Sequence, residues 1–258
     1  LMGAAGVSAA CSLEERILLA ALDEESPADD SASAPKTETP PLASGQIGDL
    51  KISRMLMGGN LIGGWSHARD LIYVSKLFKA YNTEQKIFET LALGEQHGVN
   101  TIQIDPKCQD VVEKYKTECG GKLQTVVCVA VQKDAAKTRE EIKRLVDKGA
   151  TTLYTHGGVT DAFVRNGDID PIGQTVDLIK QEGLKAGIGG HALQNIKVSE
   201  EQNLDPDYYV KTLHSDRYWS ATPKESRKEF CWQLGSQPDH DEYHDNIFCL
   251  NPDETVEY

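Results

Sequence analysis

The chain has no Cys-x-x-Cys pair, no apolar run long enough to cross a bilayer, and few aromatic residues, 7% of its 258 positions. Its six cysteines, Cys11, Cys108, Cys119, Cys128, Cys231 and Cys249, are too sparse for a disulfide scaffold and leave the redox compartment open. Positive charge is also short, with 27 Lys and Arg against 40 Asp and Glu and a net charge of −13. That balance argues against wholesale binding of nucleic acid or anionic membrane, both of which recruit proteins through a cationic excess. The two Gly-Gly pairs of GGNLIGG lack the spacing and the strand-to-helix context of a dinucleotide fingerprint.

What is present falls into three parts. Residues 1–25 open with LMGAAGVSAACS, small and apolar, which resembles the end of an export signal, and Ser8-Ala9-Ala10-Cys11 is a loose lipoprotein box with Cys11 as the acylated residue. The start of the gene product is expected upstream of Leu1, and the product is expected in a bacterial cell envelope, periplasmic or lipid-anchored. A small-residue helix start is the alternative. Residues 26–45 are rich in Pro, Ser, Ala and acid and read as a solvated linker. From residue 46 to 258 short apolar runs alternate with amphipathic charged stretches, the pattern of repeated βα units around a parallel sheet.

At least six such units are legible. KISRMLMGG reads as the first strand and TEQKIFETLALGEQHG as its helix, with Ile87 and Leu91 at helical spacing. NTIQID, QTVVCVAV, TTLYTHGG, LKAGIGGH and DYYVKTLH are the later strands; QDVVEKYKTECG, TREEIKRLVDKGA, PIGQTVDLIKQEG and ALQNIKVSEEQN are the helices between them. The closing PDETVEY has first-turn helix chemistry. A complete eight-unit barrel takes about 250 residues, more than this domain has. The expected fold is therefore a parallel (β/α) TIM-type barrel with its last units shortened or absent, with a six-stranded open α/β sheet as the alternative.

IGDLKISRMLMGGNLIGG followed by HGVNTIQID resembles the start of the aldo/keto reductases, whose first strand has the form (V/I)SRLGLGG and whose second ends in aspartate. The resemblance spans roughly residues 46–160. It implies a barrel that reduces carbonyl compounds with NADPH, and it places Asp105, Lys133 and His156 at family catalytic positions. The family's tyrosine proton donor has no counterpart: DPKCQDVVEKY reaches no tyrosine before Tyr115, which is expected inside a helix. The last two βα units, on which the family relies for cofactor phosphates, are also not found.

Strand ends of a parallel barrel converge on one face. LYTHGG, GIGGHA and VKTLHS are three consecutive strands read as finishing in His156, His191 and His214. Three imidazoles, with Asp105 as a carboxylate partner, suggest a divalent ion such as Zn or Mn; catalytic or sugar-binding histidines without metal and a purely structural trio are the alternatives. Glycines beside His156 and His191 are expected to let backbone approach a ligand. Asn60, Trp65, His67 and Arg69 in the first loop are the substrate-binding candidates, by stacking and forked hydrogen bonds, against a Trp65 that merely packs. DHDEYHD, residues 239–245, reads as a solvated acidic loop. Three functions follow: an exported reductase-like barrel enzyme of a small carbonyl compound or carbohydrate; a metal-dependent sugar lyase, isomerase or hydrolase; and a non-catalytic carbohydrate-binding protein using Trp65, Arg69 and Trp219.

Overall fold

Two layers of side chains leave opposite faces of one parallel sheet, and their contrast organises the fold. The computed structural model describes residues 42–65, 73–218, 249 and 251–258. The export segment with Cys11, His67, Arg69, Trp219 and the run 239–245 lie outside them. An antiparallel hairpin comes first, β1 (Ser44–Ile47) with β2 (Leu50–Ser53). Six strands then pair in parallel in chain order: β3 (Met57–Gly58), β4 (Thr101–Ile104), β5 (Gln124–Val129), β6 (Thr152–Thr155), β7 (Ala186–Gly190) and β8 (Tyr208–Lys211). The sheet curls into a half-barrel, a partial TIM-type barrel.

Helices return the chain between strands: α1 (Asn60–Gly63), α2 (Val74–Tyr81), α3 (Glu84–Gln96), α4 (Gln109–Cys119), α5 (Ala135–Asp147), α6 (Gly157–Arg165), α7 (Asp170–Gln181) and α8 (Gln194–Glu201), with α9 (Pro252–Glu257) near the end. Their starts follow local chemistry. The Thr83 side chain caps α3, and Asp134 caps α5 by accepting from the backbone N–H of Ala136 at 3.0 Å and Lys137 at 3.4 Å. No described helix is long and apolar enough to cross a membrane.

The convex face of the sheet buries Ile102, Ile104, Val127, Val129, Leu153, Ala186 and Ile188 with Ile87, Leu91, Val112, Ile142, Leu145, Val176 and Ile179 from the helices. Each buried Val, Leu or Ile among them contributes roughly 1.5–3 kcal/mol relative to exposure. The concave face instead carries Val126, Cys128 and Tyr154, packed with Tyr208 and Val210. Register explains β7: Cys128 pairs with Tyr154, Tyr154 with Gly187, and Gly187 with Tyr208, so one row crosses four strands. A Cβ on Gly187 would lie 2.5 Å from the Tyr208 ring, and one on Gly189 would lie 2.8 Å from that of Tyr154. Gly187 and Gly189 therefore admit the protein's own tyrosines, Gly190 admits the Asn195 side chain, and Ala186 and Ile188 lie on the apolar face.

Three departures from the expected elements have local causes. KISRMLMGG is two strands, because the chain leaves the hairpin at Ser53, where the Ser53 hydroxyl donates to the Met55 carbonyl at 2.7 Å, and rejoins the main sheet at Met57. Pairing of β1 starts at Ser44, within the stretch read as linker. The sequence GGVTDAFVR, which carries no ordinary helix-start signal, is α6.

Candidate functional site

Asp105 follows β4 directly, and its side chain has a structural role before any chemical one. It accepts from the Lys107 backbone N–H at 2.9 Å and caps the 3-10 turn Pro106–Cys108. Its other oxygen lies 4.0 Å from Sγ of Cys128, which points inward from β5. Burial, reinforced by the Asp105 charge, pushes the Cys128 thiol up to about 12, so it stays protonated near neutral pH. His156 is pinned to the sheet by its backbone N–H, which donates to the Val129 carbonyl at 2.8 Å. Asp105, Cys128 and His156 each offer an atom to a group lying within 4.8 Å.

His156 is also the N-cap of α6: its Nδ1 accepts from the Val159 backbone N–H at 3.3 Å. A neutral imidazole accepting at Nδ1 carries its proton on Nε2. Burial holds the ring's pKa below the usual imidazole value, against the opposing pull of Asp105. His156 is thus a neutral ring with an N–H to give, near the side chain of His191.

The donor set Asp, Cys and His is chemically suited to a zinc-like ion. Ligation would displace the Cys128 proton, and ligation through Nε2 of His156 would cost the cap at Nδ1. The three strand-end histidines form no such group among the described residues. His191 directs Nδ1 to Asp161 Oδ2 at 2.5 Å. His214 stands three residues beyond the end of β8, with Nδ1 3.1 Å from the Ser215 carbonyl and a buried Nε2 that has no hydrogen-bond partner.

The other expected site residues are dispersed. The Lys133 side chain is 79% exposed and its ammonium pairs with Asp168 at 2.6 Å. Tyr115 is buried in α4, with its hydroxyl donating to Glu95 at 2.5 Å. Neither Lys133 nor Tyr115 therefore joins Asp105 and His156 in a reductase-type set. Trp65 lies against Gly63, packs on the apolar core and has the Lys107 ammonium 5.7 Å from its ring centroid. Asn60 is exposed at the start of α1.

Sequence reasoning missed Cys128, Asp161, Asn195 and Lys211. Lys211 ends β8, is half-buried, and has its pKa lowered by burial; its ammonium donates to the Thr212 carbonyl at 2.5 Å. Alternation along QTVVCV was the one available signal for Cys128. Asp161 was hidden because its helix was not recognised.

No family model matches the chain, and no curated protein does. Among solved structures it is similar to a candidate aldo-keto reductase from Pseudomonas aeruginosa, at 16% identity and a TM-score of 0.42, over 60% of this chain and 64% of that one. It is also similar to a candidate deoxyribose-phosphate aldolase from Coccidioides immitis, at 13% identity and a TM-score of 0.39, over 49% and 53% of the two chains. A third similarity is to an aldolase named QR15, at 15% identity and a TM-score of 0.41, over 56% and 67%. The chain spans about half to two-thirds of the length of these structures. None of these similarities assigns a role to a residue of this chain.

Proposed function

We propose that this is an enzyme that takes a small carbonyl compound or carbohydrate at the C-terminal face of its half-barrel and acts on it by proton transfer, as a lyase or isomerase does. The observation that carries this reading is the Val159 N–H donated to His156 Nδ1. It leaves a neutral, half-buried Nε2–H as a hydrogen-bond donor for a carbonyl oxygen, where charge develops as a C–H or C–C bond next to it breaks. Asp105 and the protonated Cys128 flank that donor. The reductase form of the reading is supported less well, because Lys133 and Tyr115 are engaged elsewhere. Trp65, with His67 and Arg69, belongs to the proposal as a substrate-binding loop, and an exported, lipid-anchored product with Cys11 acylated belongs to it as location.

The test uses the full chain with a panel of aldoses, ketoses and dihydroxyacetone, read by NMR, alongside NADPH oxidation and metal analysis. Turnover without NADPH consumption and without stoichiometric metal is expected, falling sharply in His156→Ala. Saccharide binding with no turnover would make the protein a carbohydrate-binding one instead. Stoichiometric zinc or manganese lost in His156→Ala would restore the metal-dependent alternative. Acyl label retained by Cys11→Ala would overturn the anchor.

A further inference from the structure

Three consecutive strands of the sheet, β4, β5 and β6, each bring one potential metal ligand to the concave side. Asp105 follows Ile104, which pairs with Val127, and so stands beside Cys128. His156 follows Thr155, which pairs with Val129, and its backbone N–H extends that ladder to the Val129 carbonyl. It comes two residues after the inward-facing Tyr154 and so keeps to the same side of the sheet. One ligand atom from each of the three lies within 4.8 Å of the others, and among the described residues no other group of three or more His, Cys, Asp and Glu does so. Cys128 is the buried floor of the group, whereas Asp105 and His156 are half-buried, which leaves the mouth as the way in.

The spacing is close to what zinc requires. Tetrahedral zinc, bound to sulfur at about 2.3 Å and to oxygen at about 2.0–2.2 Å, holds those two atoms about 3.5 Å apart. Cys128 Sγ lies 4.0 Å from Asp105 Oδ2, a gap that a small turn of the carboxylate closes. Asp105 can make that turn because its two oxygens divide the work: Oδ1 caps the 3-10 turn at Lys107, and Oδ2 faces the thiol. A thiol that coordinates a divalent ion gives up its proton outright. Sulfur, imidazole nitrogen and a single carboxylate select a zinc-class ion over magnesium or calcium, which take oxygen ligands. Three protein ligands leave a fourth position for water.

We propose that Asp105, Cys128 and His156 bind a zinc-class divalent ion, and that the ion reversibly inhibits the proton-transfer chemistry of the mouth. The inhibition rests on the reading of the mouth as a carbonyl site; the binding site does not. The two forms exclude each other through His156. Its Nδ1 is engaged by the Val159 N–H, so the ion takes Nε2, and the proton held there moves to Nδ1, where it faces that same N–H. The donor for a carbonyl oxygen is thereby replaced by the ion, and α6 loses its cap. The Cys128 proton passes to solvent as its sulfur bonds the ion. No electron is transferred, and removing the ion restores both protons.

The test strips metal from the full chain with a chelator and titrates it with Co2+ and then Zn2+, reading absorption, 15N NMR and turnover of the aldose, ketose and dihydroxyacetone panel. Expected are a thiolate-to-cobalt charge-transfer band that Zn2+ abolishes and Mg2+ leaves, a shift of the Val159 amide resonance on loading, and turnover that falls with occupancy and returns with chelator. The band should be lost in Cys128→Ser, weakened in His156→Asn, which keeps a helix cap, and kept in Cys119→Ser, whose thiol is exposed. No band in the native protein, or one that survives Cys128→Ser, overturns the site. The Val159 shift is read on the native protein and does not depend on whether a variant folds; a full band without it overturns the exclusion. Turnover that rises with Zn2+ overturns the inhibition and the metal-free reading together. A cobalt band in a chain that turns over none of the panel leaves the site standing and overturns the carbonyl reading, and with it the inhibition.

Discussion

The ends of β6 and β7 are spelled alike, THGG and GGHA, yet the two histidines have been put to opposite uses. At the end of β6 the chain turns at once into α6, and the first-turn N–H groups of that helix need acceptors. His156 supplies one with Nδ1 and is thereby fixed as a donor at Nε2. At the end of β7 the chain reaches α8 only after Ala192 and Leu193, and the turn is held by Asp161 from outside it. His191 thereby turns Nδ1 to the Asp161 carboxylate. The glycines differ too: Gly157 leaves room for a neighbouring imidazole, whereas Gly189 leaves room for Tyr154. The same short word acquires its chemistry from what faces it.

Asp161→Ala should strike this comparison hardest, because it strands several buried donors at once and removes the group that makes His191 unlike His156. A loss of about 3 kcal/mol is expected, read as a lower urea midpoint. If the midpoint barely moves, the carboxylate does not organise the β7 end. Gly189→Val comes next. It forces a branched side chain against Tyr154 and the Thr155 carbonyl, and about 1–3 kcal/mol of destabilisation is expected; a neutral outcome would mean that the concave face has slack there.

His156→Ala should cost about 1 kcal/mol through loss of the helix cap, and His156→Asn should recover most of it, since asparagine is a good cap. The pair separates cap from imidazole: both variants are expected to lose activity, but only one to lose stability. The same residue predicts a pH dependence. Unfolded, its ring protonates near about 6.5, whereas in the fold burial holds it lower. Between the two values the unfolded state binds more protons, so this contribution to stability falls as pH drops from about 6.5 through the folded value and is level below it. In His156→Asn the curve of melting temperature against pH should be flatter in that window. The smallest effect is reserved for Lys133→Ala, whose exposed ion pair with Asp168 should be worth almost nothing to stability. It should leave turnover unchanged, and a large loss of activity would bring back a reductase-type role for the lysine.

Much of the fold was legible because it repeats a simple rule. Apolar runs such as TIQI and QTVVCV, each followed by an amphipathic stretch, admit few arrangements other than a parallel sheet covered by helices. The boundaries that failed are those where one local cue stood for two events. Gly157-Gly158 reads as a turn because glycine is a poor helix former, and a histidine cap is not a usual start signal, so α6 and with it Asp161 went unseen. DYYVKTLH reads as one strand through to His214, but pairing with β7 ends at Lys211, opposite Gly190. His214 therefore does not share the position that His156 and His191 hold.

What the sequence determined by itself was the period of the chain: which segments are strands, which are helices, and that Asp105, His156 and His191 stand at strand ends. Periodicity is local, and hydrophobic burial reads it directly. Only the tertiary structure decided which partner each strand end meets. The partner of a ring nitrogen is set by the nearest donor or acceptor in space, and for His191 Nδ1 it is the Asp161 carboxylate, thirty positions away on α6.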